Sequence, residues 1–248
     1  TEGINGTVGG APDAIEKFKA IFLAHPLFTD VDLKESAGSA EHFPRLSIKV
    51  RNEVVALGIA PDELTVKDTG AHLKPAEVHA LIENNKDLVI LDTRNDYESR
   101  IGKFRNAIIP PLKSFRDFPD YVDTNLEKFK DKEVLMYCTG GIRCERATAY
   151  LNVKKVAKKV YQIEGGICRY VEQFPNGFFR GKNYVFDDRI ALKVNDDVLT
   201  HCDICQSSAD TYANCMNAEC NAQYIGCRNC FERYEYACSK ACAEQIKA

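Results

Sequence analysis

The chain has 248 residues, 45% of them hydrophobic and 28% charged, with 11 cysteines and a formal net charge of −3. These figures belong to a soluble globular protein of two or three domains and exclude a disordered or fibrous chain. No apolar run is long enough to span a bilayer and no signal-peptide pattern opens the chain, so a membrane partner is not expected.

The chain opens Thr1-Glu2-Gly3-Ile4-Asn5-Gly6-Thr7 without a methionine. It reads as a fragment entered just after a strand, with the start of its first domain missing. Pro12 suits a first helical turn, and Ile15, Phe18, Ile21 and Phe22 share a face, which predicts a helix over 12–24 ended by His25-Pro26. Val31 and Leu33 suggest a strand. Residues 45–51 alternate, with Leu46, Ile48 and Val50 inward, and read as a half-buried strand that Val54, Val55 and Leu57 continue or pair with. Helix, strand, strand is the remainder of a small α+β sandwich. From Gly58 to Lys74 the periodicity fades, punctuated by Pro61, Gly70 and Pro75, and the stretch reads as a linker.

A helix is then predicted over 75–84, a buried strand over Leu88–Asp92, and helical or loop material over 95–130. A strand at 133–137, a glycine loop, a helix at 144–152, a strand at 159–163 and a helix from Ile167 to Phe174 follow. Strands alternating with helices imply a parallel sheet covered on both faces, with the chemistry in loops at the carboxyl ends of the strands. After Tyr184-Val185-Phe186-Asp187-Asp188-Arg189 the composition changes to a cysteine-rich tail with too little apolar mass for a core of its own. The division expected is 1–70, 71–190 and 191–248.

The loop after strand 133–137 carries Cys138-Thr139-Gly140-Gly141-Ile142-Arg143, with Cys144 opening the helix. Backbone N–H groups converging at a helix N-terminus, together with the Arg143 charge, favour an anion and depress the Cys138 pKa. The alternative is a buried, inert cysteine, and strand, glycine pair, arginine and helix together argue against it. Cys144 is either a second thiol that resolves a persulfide or disulfide, or a residue packed on the sheet; Cys168 reads as core. Asp92 ends a strand on the same side, where Arg94 can pair with it or with Glu98. Taken alone, that turn is a structural brace.

In the tail, Cys202-x2-Cys205, Cys215-x4-Cys220, Cys227-x2-Cys230 and Cys238-x3-Cys242 form four knuckles. Four pairs make two closed four-thiolate zinc sites, structural because no coordination position stays open. Disulfides are the alternative, and the pairing of knuckles, sequential or interleaved, is open. Clustered cysteines point to a reducing, cytoplasmic compartment. Residues 75–185 hold 19 Lys and Arg against 15 Asp and Glu. Within them Lys154, Lys155, Lys158 and Lys159 are either a solvated helix face or an RNA backbone contact. Neither a Gly-x-Gly-x-x-Gly motif nor paired spacing among His25, His42, His72, His79 and His201 indicates flavin or iron.

Asp92, Arg94, Glu98, Gly102 and Ala107 match, in order, the hallmark turn of the rhodanese domain, and Cys138 falls where its active loop begins. The tyrosine-phosphatase loop differs: Tyr137 stands in place of its histidine, and Arg143 follows Cys138 one residue too soon. The opening Glu2-Gly3-Ile4-Asn5-Gly6-Thr7, the Cys-Thr-Gly-Gly-Ile-Arg-Cys-Glu loop and the cysteine-rich tail together resemble the rhodanese-domain tRNA uridine hydroxylases over essentially the whole chain. That resemblance implies an α/β rhodanese-like domain between a ferredoxin-like (acylphosphatase-like) α+β domain and a cysteine-rich domain. It further implies tRNA as the partner rather than DNA, O2 as co-substrate, an electron donor that no motif names, and Cys138 as the catalytic residue. Sulfur transfer through a Cys138 persulfide is the alternative.

Overall fold

The computed structural model describes residues 3–247 apart from 32, 40, 42, 44 and 61, so Glu2, His42 and Pro61 lie outside the described residues. Four parallel strands form the central sheet: β1 (Ala71–Leu73), β2 (Val89–Asp92), β4 (Glu133–Tyr137) and β5 (Lys159–Ile163), in the order β1-β5-β4-β2. The alternation of side chains along a strand divides the core in two. Val134 and Met136 of β4 and Leu91 of β2 face one side, where they meet α4 (Phe118–Thr124) and α5 (Ile142–Lys154) through Phe118, Val122, Ala147 and Leu151. Leu135 and Tyr137 of β4 and Ile90 of β2 face the other side, against Val78 of α2 (Pro75–Asn84) and Ile167 and Tyr170 of α6 (Gly166–Gln173). The predicted parallel sheet and its helices are therefore present, with helix and strand ends within about two residues of their expected positions.

The stretch 95–130 resolves into α3 (Asp96–Arg100), β3 (Gly102–Phe104), two 3-10 turns and α4. β3 pairs antiparallel with β6 (Phe179–Tyr184), which pairs with β7 (Ala191–Lys193), so this second sheet continues past residue 190. The tail adds the hairpin β8 (Thr211–Asn214) and β9 (Gln223–Gly226), then α7 (Arg228–Tyr234) and α8 (Lys240–Lys247). Among the described residues no helix is long and apolar enough to cross a membrane.

Two expectations are corrected. Residues 58–74 are not a free linker: Leu64 is buried in the core beside α5, the buried Arg146 guanidinium donates to the carbonyls of Ile59 and Leu64, and residues 71–73 form the edge strand β1 of the central sheet. Fading periodicity marks irregular backbone leading into a three-residue strand, not exposure. Nor do Val31 and Leu33, or residues 45–51, form strands. The helix α1 (Pro12–Leu23) forms as predicted, but Leu46, Ile48 and Val50 are 89%, 85% and 97% exposed. Alternation defines a face but supplies no partner, and no strand among the described residues satisfies the backbone groups of 45–51.

Candidate active site

β4 delivers Cys138 to the carboxyl edge of the sheet, and α5 begins four residues later with Gly141, at φ 97°, as its cap. That left-handed turn folds the loop back so that the Gly141 N–H donates to Cys138 Sγ at 3.1 Å. A second glycine makes the turn compact. A Cβ on Gly166, at φ 65°, would meet the Cys138 and Thr139 carbonyl oxygens at 2.6 and 2.8 Å. With glycine there, the first N–H groups of α6 reach the loop: Ile167 donates to the Cys138 carbonyl at 3.0 Å and Cys168 to that of Thr139 at 3.1 Å. Gly165-Gly166 is thus the floor of the loop.

Cys138 is 1% exposed, and burial pushes its thiol up. The Cys144 thiol, the Arg143 charge and the backbone N–H groups of Arg143 and Cys144 act against burial and prevail, bringing the pKa from 9.0 down to about 6. Cys144 goes the other way: burial and the neighbouring Cys138 sulfur push it well above 9.0. The pair therefore consists of one thiolate and one thiol. Cys144 packs on the sheet in the same core cluster as Cys138, with its Sγ 3.6 Å from the Thr93 hydroxyl. Cys168, read as core, is half-buried, with the Asn183 amide 3.5 Å from its sulfur.

Arg143 is held by Glu98. Its two terminal nitrogens lie 2.6 and 2.7 Å from the two carboxylate oxygens, and the Thr139 hydroxyl approaches the same carboxylate at 3.4 Å. Glu98 also caps α3 by accepting the Asn95 N–H at 3.0 Å. Of the two partners open to Arg94 in the sequence, the structure gives it Asp92. Arg94 Nε and Nη2 lie 2.9 and 2.7 Å from the carboxylate oxygens, and Nη2 also donates to the Gly102 carbonyl at 2.7 Å. Burial works against the Asp92 carboxylate, but the adjacent guanidinium holds it below the usual carboxylate range. Asp92 and Arg94 brace the turn that leads into α3; Glu98 is the residue of that turn that reaches the loop.

Sequence reasoning also missed Phe186, noted only as a boundary residue. Its ring lies 5.8 Å from the Arg143 guanidinium carbon.

In the tail the knuckles interleave. Cys202, Cys205, Cys227 and Cys230 form one group, and Cys215, Cys220, Cys238 and Cys242 the other, with the sulfurs of each group within 4.8 Å of one another. The β8–β9 hairpin brings this about by carrying the second knuckle away from the first and returning with the third. All eight cysteines are free thiols. The Cys205–Cys227, Cys220–Cys238 and Cys238–Cys242 sulfurs are 3.6, 3.7 and 3.7 Å apart. A disulfide requires about 2.05 Å, whereas the edge of a ZnS4 tetrahedron with ~2.3 Å bonds is about 3.8 Å. Either group can hold a metal ion of that size.

The family model of the rhodanese-like domain matches residues 74–173, that of the UPF0176 acylphosphatase-like domain residues 1–54, and that of the rhodanase C-terminal region residues 180–243. A rhodanese-like domain protein of solved structure from Staphylococcus aureus is 24% identical with a TM-score of 0.34, covering 40% of this chain and 90% of that one. The tRNA uridine(34) hydroxylase of Chlamydia trachomatis serovar L2 is 40% identical over 98% of this chain and 75% of the relative. That of Corynebacterium jeikeium is 42% identical over 98% of this chain and 82% of its own length. The chain belongs to the tRNA uridine(34) hydroxylase family.

Proposed function

We propose that this chain hydroxylates the wobble uridine of tRNA to 5-hydroxyuridine, using O2, with Cys138 as its catalytic residue. The observation that carries this reading is a buried Cys138 poised as a thiolate, in a chain related over 98% of its length to proteins named for that activity. A thiolate adds to C6 of a uracil ring: the sulfur–carbon bond forms, and the C5–C6 π pair moves onto C5 and the adjacent carbonyl as an enolate. C5 is then electron-rich toward oxidation. Incorporating one atom of O2 at C5 while the other leaves as water consumes an electron pair and protons from a donor, the remaining partner in the reaction; loss of the C5 proton then breaks the sulfur–carbon bond, restoring the C5–C6 double bond and the Cys138 thiolate.

The residues share this work. Thr139, Gly140, Gly141, Ile142 and Arg143 form the loop around the sulfur, Cys144 is the second thiol, and Asp92 and Arg94 support it from below. The tail takes structural zinc in two interleaved four-cysteine sites, which supports the closed-site reading because thiolates fill every position. The units we assign are 1–70, 71–190 and 191–248, with β7 joining the last two through its pairing with β6. Cysteines grouped as metal sites suit a reducing cytoplasm. The partner is tRNA rather than DNA.

Nucleoside mass spectrometry of tRNA from cells with and without the gene tests the reading. Loss of 5-hydroxyuridine and its derivatives, rescued by wild type but not by Cys138→Ser, is expected. An unchanged pool overturns it. Sulfur transfer has its own support in the rhodanese-type loop. Thiosulfate-to-cyanide turnover abolished in Cys138→Ala, with the tRNA pool intact, would favour it.

A further inference from the structure

An exposed phenylalanine on its own carries no inference, because scattered surface apolar residues are ordinary. Phe186 differs in its surroundings. It is 62% exposed at the tip of the turn between β6 and β7, and its ring sits 5.8 Å from the Arg143 guanidinium carbon. Tyr184 meets Phe186 edge-on at 5.4 Å and is itself met edge-on by Tyr97 at 5.2 Å and Tyr212 at 5.9 Å. The turn is fixed on both sides. Val185 N–H donates to the Ile190 carbonyl and Ile190 N–H to the Asp187 carbonyl, both at 2.8 Å. Arg189 bonds Asp187 within the turn and reaches the Ser36 hydroxyl at 3.1 Å outside it. The Thr139 hydroxyl of the active loop approaches the Tyr184 carbonyl at 3.4 Å. A rigid turn thus holds an uncovered aromatic ring one side chain away from the reactive sulfur.

Single-stranded RNA is read by stacking its unpaired bases on aromatic rings and guanidinium planes. Resting on the tRNA reading above, we infer that Phe186 is the stacking platform for an unpaired nucleobase of the substrate loop, positioning the uridine at Cys138. Arg143 backs the ring without spending its charge on the base, since its nitrogens face Glu98. The remaining aromatic cluster keeps the turn in place before RNA arrives, so little ordering accompanies binding.

The chain contains no tryptophan, so Phe186→Trp introduces a single fluorophore at the platform. The probe is a synthetic anticodon stem-loop RNA with an unmodified wobble uridine, compared with a blunt duplex RNA. Stem-loop binding is expected to quench Phe186→Trp emission while the duplex does not. Phe186→Ala and Phe186→Leu should each weaken stem-loop binding by about 5- to 150-fold, the range for loss of one stacked base, and Phe186→Trp should retain wild-type affinity. The pH midpoint of Cys138 alkylation must stay at its wild-type value in all three, which separates a platform from a structural support. Binding by Phe186→Ala and Phe186→Leu within about twofold of wild type, or emission unchanged at saturating stem-loop, overturns the inference while leaving wild-type hydroxylation intact. Failure of the wild-type protein to bind the stem-loop or form 5-hydroxyuridine overturns the functional reading itself.

Discussion

Replacing Arg143 by Gln tests the electrostatics of the site most directly. Burial alone would hold Cys138 neutral; its pKa of about 6, against an ordinary 9.0, measures how far the surrounding donors and charge overcome burial. At about 1.4 kcal/mol per pH unit that preference is worth about 4 kcal/mol. It leaves about 90% thiolate at pH 7, where an ordinary thiol of pKa 9.0 has about 1%. Absolute reactivity is the wrong readout, because nucleophilicity falls with pKa: a Brønsted slope of about 0.4–0.5 removes about 15- to 30-fold of the ~90-fold gain. Limited access to a buried sulfur lowers the rate further. The midpoint of the rate against pH is free of both effects. Iodoacetamide alkylation of wild type, followed by mass spectrometry of the Cys138 peptide, should show a midpoint near 6. Arg143→Gln deletes the positive charge and keeps a side chain able to bond Glu98, and the midpoint should rise by about 1–3 pH units. A wild-type midpoint near 9, or one that Arg143→Gln leaves in place, would refute the account of the loop.

The other expectations follow from the same contacts. Cys144→Ala, which removes a thiol donor, should raise the Cys138 midpoint, and Cys144→Ser, which keeps a donor, should hold it closer to wild type; equal midpoints in the two would contradict a donor role for Cys144. Arg94→Ala strands the fully buried Asp92 carboxylate and should cost about 3–5 kcal/mol in urea unfolding at pH 7. Because Asp92 is depressed in the folded state, its contribution is present above the ordinary carboxylate pKa and fades as pH falls through the folded value, so the gap between Arg94→Ala and wild type should narrow in acid. Gly166→Ala forces a Cβ onto backbone atoms of the loop at a positive φ; about 2–4 kcal/mol of stability should go, and the Cys138 midpoint should climb as the loop is displaced. Metal analysis should return about two zinc per chain, and the double variant Cys205→Ser/Cys227→Ser should keep about one, whereas sequential pairing would damage both sites.

What could be read in the sequence was whatever depends on near neighbours in the chain. The thiolate was legible because strand, glycine pair, arginine and helix lie within Tyr137–Ala147, and the α5 terminus follows from that order alone. Knuckle spacing was legible for the same reason. The partner of Glu98 was not: Arg94 lies four residues before it and Arg143 lies 45 after, and only the parallel pairing of β2 with β4 brings the distant arginine closer. Interleaving of the knuckles likewise depends on the β8–β9 return. Residues 45–51 show the opposite failure, a local pattern strong enough to suggest a strand where no neighbouring strand exists among the described residues. Phe186 left no signal at all, since its meaning comes from Arg143 across the fold.

The tail's position explains why a cysteine-clustered unit belongs beside this thiol. Helix α3 has five residues, too short to persist alone, yet its Glu98 fixes Arg143, and Arg143 helps fix the charge of Cys138. Support arrives on both sides of Glu98. The Tyr212 hydroxyl donates to the Tyr97 carbonyl at 2.7 Å, and Arg100 pairs with Asp203 at 2.5 Å. Asp203 sits inside the first knuckle, between Cys202 and Cys205, and also accepts the Ile225 N–H at 2.8 Å. Each tie is modest: the half-exposed ion pair is worth about 0–1 kcal/mol and the hydrogen bond about 1 kcal/mol. Their effect depends on Asp203 and Tyr212 being held still; Tyr212 packs with Ala209, Ile225, Cys202 and Cys230 in a small cluster, and closing the four-cysteine group would add to that hold. Ordering therefore runs from the first four-cysteine group through Asp203 and α3 to Glu98, Arg143 and the Cys138 sulfur.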